Sequence, residues 1–82
     1  MLKGKVISNI VSTRKQPALV GSKFLEVRLI ENNEMTDKFI IAVDSVGAGI
    51  GEIVLITTGS GARLALNNKE TPTDAVVVGI VD

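Results

Sequence analysis

From Lys23 to Glu31 the chain alternates, with Leu25, Val27 and Leu29 on one side and Glu26 and Arg28 on the other. A period of two is the mark of a half-buried β-strand. Leu2 to Val11 repeats it less cleanly: Leu2, Gly4, Val6, Ser8 and Ile10 share one direction, while Ile7 and Val11 place apolar groups on the other. Asn32-Asn33 reads as a turn that leads through Met35, Thr36 and Asp37 to a third strand, Lys38 to Val43. Asp44 and Ser45 close that strand, with side chains suited to bonding nearby backbone. Glu52 to Thr57 and Ala75 to Val81 complete a set of five. Between them, Ser12 to Ser22 is a loop marked by Pro17 and Gly21, with Arg14 and Lys15 exposed. Ala62 to Leu66 predicts a helix of about two turns, with Ser60 as N-cap and Asn67-Asn68 as its end. Thr71 to Asp74 is the last loop. Five short strands and one short helix predict an all-β fold, a small OB-like barrel spanning residues 1–82 as a single domain.

Three strands do not alternate. Phe39-Ile40-Ile41, Ile53-Val54-Leu55-Ile56 and Val76-Val77-Val78 are apolar on both faces. A small antiparallel barrel buries one face only, so the outer faces of these strands need a cover. Other copies of the same chain would supply it; the short helix and the long loops are the alternative.

Composition sharpens this. Valine and isoleucine supply 20 of the 82 residues, and Phe24 and Phe39 are the only aromatics. With no cysteine and no histidine, disulfides, thiolate nucleophiles and the usual zinc sites are excluded. The commonest general base near neutral pH is missing as well. Asp44, Glu52, Asp74 and Asp82 flank strands, where acids usually serve turns or solvent, and no nucleophile–base pair can be assembled. An enzyme is not expected, nor a cofactor, nor a metal. Nine basic and nine acidic residues cancel. No run approaches a membrane span and the start does not read as a signal peptide, so a cytoplasmic protein without membrane contact is expected.

Five of the eight glycines fall between Ile41 and Arg63. Bare backbone in such density implies positive φ or close approach to a neighbour. Gly47, Gly49 and Gly51 imitate a dinucleotide fingerprint, but that motif must open a helix and here it opens a strand. A structural loop is the better reading. Gly59-Ser60-Gly61-Ala62-Arg63 does run from strand through glycines to helix, and free N–H groups beside Arg63 would suit a small anion. The Lys-Ser or Lys-Thr ending of a phosphate loop is absent, and a tight structural connection fits equally. An OB-like barrel also raises nucleic-acid binding, but single strands need stacking aromatics in a basic groove. Two phenylalanines and zero net charge supply neither.

Gly4-Lys5-Val6, Val11-Ser12-Thr13-Arg14-Lys15, Leu19-Val20-Gly21, Lys23-Phe24-Leu25, Gly59-Ser60, Ala62-Arg63 and the closing Val77-Val78-Gly79-Ile80-Val81-Asp82 carry a family likeness. It peaks at Ala42-Val43-Asp44-Ser45-Val46-Gly47-Ala48-Gly49 and continues in Gly51-Glu52. In these the chain resembles the pentameric vertex proteins of bacterial microcompartments, the EutN/CcmL family. The resemblance implies a five-stranded barrel that assembles into a cyclic homopentamer and caps the vertices of a polyhedral shell. Its partners would be its own copies and the hexagonal shell proteins that tile the facets, and its place the bacterial cytoplasm. Asp44, Gly47, Gly49, Gly51, Glu52 and Arg63 are the candidates to serve assembly or the glycine loops. Gly59, Ser60 and Gly61 are the candidates to line a central pore, with a plain strand-to-helix connection at the rim as the equal alternative. The chain departs from the family at Gly61, where serine or alanine is usual, and many relatives run on past the position of Asp82, so contacts of such a tail would be missing or replaced here. Ethanolamine, propanediol, glycyl-radical and carbon-fixing compartments all use such proteins, and no residue here separates them.

Overall fold

The computed structural model describes residues 1–10, 21–65 and 74–82, leaving out the side chains of Arg63 and Leu64. Most of the expected loop from Ser12 to Ser22, the expected helix end at Leu66 to Asn68, and Thr71 to Thr73 lie outside the described residues. Within them the chain forms β1 (Leu2–Ile10), β2 (Lys23–Glu31), β3 (Glu34–Asp44), β4 (Ile53–Thr58), α1 (Ser60–Ala65) and β5 (Ala75–Val81). The strands close into a barrel in the order β1-β2-β3-β5-β4. All neighbours are antiparallel except β3 and β5, which meet in parallel at Val43↔Val76 and Asp44↔Val77. That short seam joins the ends of the sheet, so no edge is left open.

Two boundaries differ from the sequence reading. β3 begins at Glu34, four residues before the expected Lys38. Asn32 and Asn33 take φ of 53° and 62°, so a two-residue turn with both φ values positive leads directly into pairing of Glu31 with Glu34. Met35 to Asp37 read as connection because most of this stretch is exposed and carries no apolar rhythm. A register shift between Arg28 and Ile30 lies beside them, and there the Thr36 hydroxyl donates to the Leu29 carbonyl at 2.8 Å. In β1 the alternation breaks at a bulge between Val6 and Ser8. The extra residue turns Ser8 out to the polar side, where its hydroxyl reaches Glu26, and leaves Ile7 exposed. Ser8 therefore does not share the direction of Val6.

The barrel interior is filled by Val6, Leu25, Val27, Ala42, Val54, Ile56, Ala75 and Val77. A second, smaller cluster lies on the other face of the sheet: Val43, Val76 and Ala62 of α1, flanked by Phe24 and Val78. The helix thus covers part of the doubly apolar strands, as one of the two expected arrangements required. It does not reach Phe39 and Ile41, which stay 52% and 57% exposed.

Gly4 sets how closely β1 and β2 can approach. A Cβ there would press on Val27 Cγ1 and lie 2.7 Å from the Arg28 carbonyl oxygen. Backbone cannot rotate away as a side-chain tip can. Gly4→Ala should lower stability by about 1–3 kcal/mol, the usual range for overpacking. Gly79→Ala, whose new methyl would sit 3.7 Å from Leu55 Cδ1, should change stability by less. Urea denaturation of both variants checks the pair.

Candidate functional site

The stretch from Asp44 to Glu52 closes one mouth of the barrel. Asp44 ends β3, and its Oδ1 accepts N–H bonds from Val46 and Gly47, both at 3.1 Å. Its Oδ2 accepts from Ala48 at 3.0 Å. One carboxylate therefore gathers three successive amides, a turn that needs positive φ at Gly47, found at 80°. At the far end Glu52 Oε1 accepts from Gly49 N at 2.6 Å. Gly51, at φ 90°, gives its N–H to the Val6 carbonyl, and Val6 N–H returns a bond to Glu52 O, each 2.9 Å. These bonds tie the loop to the point where β1 parts from β4.

The loop is also tied from two other sides. Ser45 Oγ donates to the Val77 carbonyl at 2.6 Å, and Lys23 Nζ donates to the Ala48 carbonyl at 3.3 Å. The result is to press Ala48 into the barrel core, where it is fully buried. Ala48 is the stopper of this mouth. Val46 and Ile50 face outward, Ile50 with 62% of its surface exposed.

Asp44, Gly47, Gly49, Gly51 and Glu52 are thus brought together, and every one of them acts inside the subunit. No helix follows, since the loop leads into β4. Ala48 and Lys23 belong to the same arrangement and escaped the sequence reading. A small alanine between two glycines gives no sign of being core, and a lysine opening a strand reads as solvated.

Arg63 lies apart, in α1, its side chain outside the described residues. At the second glycine turn the helix starts at Ser60 itself, so Gly59 takes the capping place expected of Ser60. Gly59 has φ 65°, its carbonyl accepts Ala62 N–H at 3.1 Å, and its own N–H is spent on the Asp74 carbonyl at 2.8 Å. Two of the amides expected to be free for an anion are therefore occupied. Gly61 has no positive φ; a Cβ there would instead meet Thr57 Oγ1 at 2.8 Å. Among the described residues no group of three acids could hold a metal ion, and no helix is long and apolar enough to cross a membrane.

The whole chain, residues 1–82, matches the model of the family described as "Ethanolamine utilisation protein EutN/carboxysome". The chain belongs to the EutN/CcmL family. It is 47% identical to the microcompartment shell vertex protein GrpN of Rhodospirillum rubrum, over all of this chain and 93% of that protein. With the carboxysome shell vertex protein CcmL of Gloeobacter violaceus the identity is 44%, over 96% of this chain and 80% of the relative. The solved GrpN structure, a pentameric microcompartment shell protein, superposes with a TM-score of 0.90 at 43% identity, over all of this chain and 94% of that one. The fold of this chain is accordingly that of the EutN/CcmL family, and in this chain the loop from Asp44 to Glu52 places Ala48 as the stopper of one barrel mouth.

Asp44 is the place to test the stopper. Asp44→Ala removes the acceptor for three amides and should cost on the order of 2–3 kcal/mol. Asp44→Asn can keep the two bonds of Oδ1 but turns an amide donor against the Ala48 N–H, so an intermediate loss is expected. Thermal unfolding of the three proteins should rank them wild type, Asn, Ala.

Proposed function

We propose that this chain is a shell vertex protein, five copies of which close a ring that caps a five-fold point of a bacterial microcompartment in the cytoplasm. The observation that carries the reading is the overlap of the entire chain with a relative of nearly equal length solved as a pentameric shell protein. The exposed Phe39 and Ile41 on a closed barrel support it, because an apolar face left open to water suits a subunit that acts in an assembly. The role is geometric: a sheet of hexagonal shell proteins needs five-fold points to close, and those proteins are the partners proposed at the ring's rim. No catalytic group is needed.

The nucleic-acid alternative finds no support. Of the two aromatics Phe24 packs beside the α1 cluster, which leaves Phe39 alone to stack a base. Native mass spectrometry should give a single species of five chains, and single-stranded DNA at moderate salt should stay unbound. A stable monomer or dimer would remove the vertex reading, as a six-membered ring would remove its geometry.

Gly59 and Ser60 are exposed where β4 turns into α1, with Gly61 half-buried behind them. The proposal extends to these three as the lining of the ring's central opening. Ser60→Trp should then leave the subunit folded by circular dichroism while the ring is plugged or disturbed. A ring structure that places Ser60 at the outer rim would end this assignment and leave the pentamer standing.

A further inference from the structure

We draw no further inference here: the strongest candidate, the exposed apolar patch of Phe39 and Ile41 on the outer face of the β2–β3 hairpin, carries nothing because nothing in the structure shows what covers it.

Discussion

The bond set around Asp44 is the constraint on which the rest depends. β3 and β5 meet along only two register pairs, and the second of these is Asp44 with Val77. The same residue that ends the seam collects the amides of the loop, and Ser45 beside it binds the Val77 carbonyl. Closing the sheet and stopping its mouth are therefore one event. With only six to eleven residues in a strand and no disulfide, so small a barrel has little else to hold that end shut.

Closure then decides how the protein can meet others. A sheet without edges cannot pair backbone to backbone with a neighbour, so assembly falls to side chains on the outer face. The helix covers one part of that face and leaves the part around Phe39 and Ile41 exposed. The bonds described for the glycine motif that dominates the sequence are made within the subunit. What it leaves for partners is the shape of the barrel, the outward Ile50 and Val46, and the apolar side of the β2–β3 hairpin.

Much of this was legible in the residues. The alternation of Leu25, Val27 and Leu29 gave β2 its inner face, and the runs of valine and isoleucine located β4 and β5 to within a residue. Asp44 at the close of β3 pointed correctly to bonds with nearby backbone, whereas the Ser45 hydroxyl reaches the Val77 carbonyl far along the chain instead. Other features were hidden because they depend on neighbours far along the chain. Gly4 looks like any glycine in a strand until the Arg28 carbonyl lies against it. Ser8 leaves the inner face only because of a bulge that the pattern does not announce. The early start of β3 was masked because the hairpin tip is solvated on both sides, so no burial rhythm marks it.

That the glycine loop is a rigid stopper rather than an open surface loop can be measured directly by residue-resolved hydrogen exchange. The amides of Val46, Gly47, Ala48 and Gly49 are held by side-chain carboxylates in a loop that is largely exposed. They should exchange as slowly as the amides of the flanking strands, since releasing them means opening the barrel end. Exchange at the rate of an unprotected loop, with the strands still protected, would contradict the account.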